Sequence, residues 1–236
     1  MSASKIFASL DAAVAGIEDG ATIGIAGFSG VGSPCFLVGA LIRQGAKRLI
    51  CVANSTNQRD MPPGGADIGG VVSNGQLAKA ICSFTAPTRP SQKLPFTEFY
   101  EAGNVEAEIV PQGTLAERLR AAGAGIPAFF TPAGVGTEIA EGKETRIFNG
   151  RTYLMEHALP LDYAFIRAWK ADTLGNLQFR LTQRNFNPVM AMAARVTIVE
   201  VEEDILPAGA IDPDLVHVPG VYVHRLVKID PKGMAQ

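Results

Sequence analysis

An α/β fold built on a doubly wound, mostly parallel sheet is predicted by three features of this 236-residue chain. Short apolar runs of strand length alternate with segments of helical period through the first half, an order that calls for crossover connections and a parallel sheet. A glycine-rich loop separates the first apolar run from the first long helical segment. In the second half Asn149-Gly150 sits between two strand-like runs, a type I′ hairpin signal that adds antiparallel pairing. No linker, repeat or low-complexity segment interrupts the pattern, so residues 1–236 read as a single domain.

In order along the chain, Ile6, Leu10, Ala13, Val14 and Ile17 share one helical face, with Ser4 as the cap and Asp19-Gly20 as the stop. Residues 22–27 form the first buried strand and run into Phe28-Ser29-Gly30-Val31-Gly32-Ser33-Pro34, and a helix over 35–43 follows. Further strands are predicted over 48–53, 79–84 and 107–110, with helical stretches at 75–79 and 96–102. The Pro-Gly-rich stretch 57–70 reads as an excursion at the sheet's carboxyl edge, placed to lie over a site. Beyond the midpoint come a hairpin over 144–156, strands at 162–168, 176–180, 196–202 and 221–228, and a helix within 184–194. The tail from Asp230 to Gln236 is expected to fray.

The strand ending at Val110 meets the next helix through Pro111-Gln112-Gly113-Thr114. Pro111 fixes its own φ and biases Val110 toward extended geometry, Gly113 permits a tight turn, and Thr114 can cap the helix that follows. Gln112 is thereby held at a strand's carboxyl end, where ligands bind in open α/β sheets and where a preorganised amide can stabilise an oxyanion. The same corner also fits a turn glutamine facing water. The loop over 27–34 carries backbone N–H groups near a helix start, a place that welcomes a phosphate, carboxylate or thioester oxygen. Its spacing matches neither the P-loop nor the full dinucleotide fingerprint, and it also serves simply to pack a helix on a sheet.

Formal net charge is −2, and Lys and Arg are scattered. That leaves no electrostatic footprint for nucleic acid or an anionic membrane surface. Hydrophobic residues make up 47% of the chain, enough for a sizeable core, yet no run approaches the roughly 18 apolar residues of a membrane span. The start of the chain has no apolar signal region, and a cytoplasmic location is expected. Cys35, Cys51 and Cys82 lack metal-ligand spacing and read as reduced core residues. His157, His217 and His224 read as structural, and no metal site is expected. Glu18 and Glu101 are the carboxylates that could act as nucleophiles, although both also fit solvated helix ends. Trp169 beside Lys170 and Asp172 marks a strand end near the cleft or a core aromatic. The residues thus supply backbone donors and one amide but no convincing base or nucleophile, which amounts to half an active site.

Several ordered segments together resemble the A (alpha) subunit of family I CoA-transferases, the 3-oxoacid group acting on acetoacetate, butyrate or 3-oxoadipate. They are Asp19-Gly20-Ala21-Thr22 through Pro34, the 111–120 run, and Gly123-Ala124-Gly125-Ile126-Pro127 through Thr137. Lys170-Ala171-Asp172, Leu174-Gly175-Asn176, Arg184-Asn185-Phe186-Asn187-Pro188 and Val199-Glu200-Val201-Glu202-Glu203 complete the set. The resemblance spans nearly the whole chain. It implies a CoA-transferase-like fold, a B-subunit partner supplying a glutamate nucleophile, and an assembly of α2β2 type. It further implies that this glutamate attacks an acyl-CoA to give an acyl-glutamyl anhydride. CoA thiolate then converts the anhydride to a glutamyl-CoA thioester, which the acceptor acid opens.

At matching positions, the resemblance makes Gln112 the oxyanion donor, Ala26, Gly27, Phe28, Ser29, Gly30, Val31 and Gly32 the CoA-contacting loop, and Asn54 a contact for the acyl group. Coenzyme A is expected as substrate, with succinyl-CoA or acetyl-CoA as donor, and no permanently bound cofactor. Ala26 stands where the family usually has Gly. The turn after Ala53 departs from the paired-asparagine or similar turn often found in the family, at a place that could set acyl specificity, which bears on the substrate more than on the reaction class. CoA-thioester hydrolysis or ring opening on the same fold is the alternative chemistry, and a noncatalytic ligand-sensing domain is the alternative of a different class.

Overall fold

The computed structural model describes residues 4–57, 61–86 and 94–230. Seven strands form a parallel sheet: β1 (Thr22–Ile25), β2 (Leu49–Ser55), β3 (Leu77–Phe84), β4 (Glu106–Ile109), β8 (Leu161–Ala168), β11 (Ala194–Val201) and β12 (Arg225–Lys228). Their spatial order is β12-β11-β8-β1-β2-β3-β4, so the chain builds outward from β1 to one side and later returns to fill the other. The order reverses between β1 and β8. That is the topological switch point at which ligands collect in open α/β sheets.

Alternate residues of each strand feed two cores, one on each face. Cys51, Ala53 and Phe165 pack toward α1 (Leu10–Val14), α2 (Cys35–Gln44), α3 (Ile68–Ser73) and α4 (Pro95–Glu101). Val52, Ala164 and Ile166 pack toward α5 (Gln112–Gly123) and α6 (Asn187–Ala193). Both faces are covered, which is why these strands read as continuous apolar runs. A separate antiparallel sheet of order β5-β7-β6 is made by β5 (Ala128–Thr131), β6 (Thr145–Phe148) and β7 (Arg151–His157). Its hairpin turns on Asn149 and Gly150 at φ 49° and 76°, the pair of positive values a type I′ turn requires. A two-stranded ribbon joins β9 (Lys170–Ala171) to β10 (Leu177–Gln178).

Several elements differ from the sequence expectation. The first helix begins at Leu10 with Ser9 as its cap, because residues 5–7 pair with the outer edge of β12 instead: Phe7 N donates to Leu226 O and Leu226 N to Lys5 O. Ser4 Oγ only accepts from Ile6 N nearby. The helix expected at 75–79 is absent: β3 starts at Leu77, and the short helix lies earlier, at α3, capped by Asp67. Gln76 is spent on the core, its amide donating to Leu41 O and Ala46 O. The excursion after β2 packs on α2, with Ala66 N bonded to Cys35 O, and none of its described residues lines the cleft described below. The predicted last strand forms only from Arg225, since Gly220–Tyr222 turn as a 3-10 helix. The expected strand over 176–180 shortens to Leu177–Gln178, and the tail lies beyond the described residues after Asp230.

Candidate active site

Gln112 is the first residue of α5, so the helix starts three residues earlier than a Thr114 cap would put it, and Pro111 stands at the cap position. Leu115 N bonds Pro111 O to close the first turn. Thr114 is buried, with no partner found for its hydroxyl. The helix is held in place by Arg118, whose Nε donates to His157 O at 2.8 Å and whose Nη1 donates to Glu108 Oε1 at 2.7 Å. One guanidinium therefore ties α5 to β4 and β7 at once.

The Gln112 amide donates to Asn54 Oδ1, joining two residues that lie 58 positions apart in sequence. Asn54 is buried near the carboxyl end of β2 while Gln112 is exposed, so one fixed amide orients one accessible amide. A second Gln112 N–H is left for a ligand. Beside them lies an open, mainly apolar cavity of about 260 Å³ lined by Phe28, Gln112, Gly113, Ala116, Asn185, Phe186 and Val189. No carboxylate, thiol, hydroxyl or imidazole is among these side chains.

The glycine-rich loop contributes Phe28, one of the two paired residues that close a miniature hairpin whose tip is Ser29-Gly30. Phe28 and Val31 exchange N–H···O bonds of 3.0 Å in both directions, and Ser29 and Gly30 between them have φ 49° and 88°. Its carbonyls are pinned from the segment that leads into α6: Asn185 Nδ2 donates to Val31 O, and the wholly buried Asn187 donates through Nδ2 to Gly32 O and Gln183 O while its Oδ1 accepts from Arg167 N. A Cβ on Gly32 would stand 2.7 Å from Gln183 O, at φ 68°, so this position requires glycine twice over. Of the seven loop residues singled out by sequence, Phe28, Ser29 and Val31 are exposed and Gly30 and Gly32 half-buried. Ala26 and Gly27 are buried, and Ala26 is free of the positive φ that would have made its side chain a strain.

The helix start behind the loop is not open to an anion, contrary to the sequence reading. Phe36 N and Leu37 N, the free donors of α2, both donate to Glu200 Oε2 at 3.1 and 3.0 Å. Burial pushes the Glu200 carboxyl up to about 8, although Arg167 beside it and the two N–H groups favour its ionised form. Arg167 also bonds Glu202 at 2.7 Å, and Gln183 bonds the same oxygen. An internal carboxylate thus occupies the place a phosphate would take.

Neither candidate nucleophile is near the cleft. Glu18 lines a pocket with Asp162 and Arg195, residues that begin or adjoin the amino ends of β8 and β11, and Glu101 ends α4 in solvent. Burial pushes the thiols of Cys35 and Cys82 up to about 11 and that of Cys51 to about 12, so none is a nucleophile at neutral pH. His217 Nδ1 accepts from Phe179 N and His224 Nδ1 from Thr197 N, which makes both structural. Among the described residues no three His, Cys, Asp or Glu side chains form a metal-binding group. No helix there is long and apolar enough to cross a membrane. Trp169 is half-buried and carries Lys170 Nζ 4.1 Å from its ring centre. Sequence reasoning missed Phe186, Asn185 and Asn187 as parts of the site, and the Asn-Phe-Asn-Pro string at a helix start was the available signal.

The sequence model of coenzyme A transferases fits residues 7–229. The chain belongs to that family. It is 46% identical over 226 residues to the A subunit of the Helicobacter pylori succinyl-CoA:3-ketoacid coenzyme A transferase, covering 95% of this chain and 92% of that protein. It is 43% identical to the A subunit of the Pseudomonas putida 3-oxoadipate CoA-transferase over 95% of this chain and 94% of that one. Glutaconate coenzyme A-transferase from Acidaminococcus fermentans has the same fold, with a TM-score of 0.81 at 22% identity over 96% of this chain and 76% of its own. The coenzyme A transferase fold thus puts Gln112 and the Phe28 hairpin at one cleft.

Proposed function

We propose that this chain is the A subunit of a 3-oxoacid-type CoA-transferase, working with a B subunit that carries the carboxylate nucleophile. Together they would move CoA between succinyl-CoA or acetyl-CoA and a short-chain 3-oxo or fatty acid, as an α2β2 assembly. The observation that carries the reading is the Gln112–Asn54 amide pair at a cleft that has no nucleophile of its own. Each acyl-transfer step passes through a tetrahedral oxyanion, and a donor already aimed at that position needs no reorganisation when charge develops. Asn54 accepts one Gln112 hydrogen and so fixes the direction of the other.

The loop's part follows from its shape. With the α2 donors satisfied by Glu200, Phe28 offers an apolar wall rather than a phosphate cradle. Such a wall suits the pantetheine arm or the acyl chain. Ser29, Gly30, Val31 and Gly32 border the ligand, while Ala26 and Gly27 form the root that keeps the hairpin on β1. Asn54, buried behind the Gln112 amide, would act on the acyl group by holding that amide in place. Coenzyme A enters as substrate and leaves as product. The test is CoA transfer from succinyl-CoA to acetoacetate, 3-oxoadipate, butyrate and acetate, with and without the B subunit. Acceptor-dependent exchange that requires the partner supports the reading. Acceptor-independent release of free thiol refutes it in favour of hydrolysis.

A further inference from the structure

One feature beside the cleft is hard to account for in the chain by itself. Leu181 is 86% exposed and holds φ at 50°, a left-handed value that a branched side chain seldom adopts. The fold both strains this residue and leaves it in water. Two more exposed apolar side chains belong to the same region, Phe28 at 44% and Val31 at 47%. The connection is direct: Asn185, one residue past the 3-10 turn Leu181–Arg184, bonds Val31 O at 2.9 Å, and Gln183 O of that turn abuts Gly32. Arg180 immediately precedes Leu181 and Arg184 ends its turn, while Lys170 shares the Trp169 ring with Arg180. Lys170 Nζ and Arg180 Cζ lie 4.1 and 5.9 Å from the Trp169 ring centre. Of the ion pairs among described residues, none involves these three cations. An apolar centre with an aromatic and arginine-rich rim is the anatomy of a protein interface.

We propose that Phe28, Val31 and Leu181, rimmed by Lys170, Arg180 and Arg184, are the surface on which the B subunit docks, with Leu181 as its anchor. The inference rests on the functional reading above. The patch adjoins a cleft whose lining has no nucleophile and, on that reading, receives one from the B subunit. The cationic rim calls for an acidic facing surface, which makes association salt-dependent.

The experiment measures binding of the recombinant cognate B subunit to the full chain and its variants, alongside thermal melting of the isolated chain. Leu181→Asp is expected to weaken association at least a hundredfold. Leu181→Gly relieves the positive φ, so the isolated chain should melt at the same temperature or higher while association still weakens at least tenfold. A purely structural role for Leu181 would not give that split. Arg180→Glu with Arg184→Glu should weaken association about tenfold and flatten its salt dependence, leaving KM for succinyl-CoA unchanged. Association of Leu181→Asp within twofold of the parent overturns the proposal, as does a charge reversal that raises KM while association holds, which would assign the rim to the phosphates of CoA. Gln112→Ala should bind like the parent. If the parent chain itself fails to bind, the functional reading falls with this one; if it binds and Leu181→Asp binds equally, only this one falls.

Discussion

Replacing Asn187 by Asp exchanges one atom group and should loosen the whole floor of the site. The Asn187 Nδ2 donates at 3.1 Å to Gly32 O and at 2.7 Å to Gln183 O, and the residue is wholly buried. Asn187→Asp puts an acceptor where both carbonyls need a donor, while the bond from Arg167 N to the other oxygen survives. Two lost bonds with their acceptors left unpaired cost about 3 kcal/mol. An acid at the first position of α6 recovers roughly 0.5 kcal/mol from the helix dipole, so the loss wins and about 2.5 kcal/mol of destabilisation remains. At about 2–4 °C per kcal/mol for a chain of this size, the melting temperature should fall by roughly 5–10 °C at pH 8. Burial raises the pKa of the introduced carboxyl, and its protonated form regains one donor. The deficit should therefore be largest at high pH and shrink toward pH 5. Calorimetry across that range is the assay. A melt within 2 °C of the parent at pH 8, or a deficit that grows on acidification, would refute the account of how the hairpin is held.

Other outcomes follow from the same geometry. Burial first, then Arg184 for His217 and Lys5 and Arg225 for His224, hold both imidazoles below their ordinary pKa; each accepts a backbone N–H in its neutral form. Their contribution is present above about pH 6.5 and is lost as pH falls through the depressed values, so melting temperature should drop between pH 7 and 5. The double variant His217→Gln, His224→Gln should flatten that drop. Gly32→Ala should lower kcat/KM of the assembled enzyme at least tenfold, since the added methyl meets Gln183 O at 2.7 Å and φ is positive; steady-state kinetics would show it. A thiol reagent at pH 8 should find no cysteine in the native chain and three after denaturation, because burial keeps all three protonated.

The parts of the fold that sequence predicts are those where local pattern and tertiary demand agree. Asn149-Gly150 dictates its turn by backbone sterics alone, and the apolar strands β1 to β3 are buried on both faces. Where a distant partner outbids local preference the reading fails. Ile6 has helical period with Leu10, but pairing of its neighbours with Leu226 claims the segment as a bridge on the outer edge of β12. Gln76 looks like part of an exposed helix until the carbonyls of Leu41 and Ala46 engage it. At the site, Gln112 was legible because Pro111 and Gly113 bracket it, and Asn54 entered through the family resemblance. Their contact was not legible, since it depends on β2 and α5 meeting 58 residues apart. Nor could the loop reveal that Glu200, 164 residues on, already fills the helix start behind it.

The most direct measurement of the central claim is turnover by Gln112→Ala in the assembled enzyme with its B subunit. Loss of one oxyanion donor costs about 3–4 kcal/mol, so kcat should fall on the order of a hundredfold to a thousandfold while binding of the partner is retained and KM changes little. A kcat within a few-fold of the parent would contradict the placement of the reacting carbonyl at this amide.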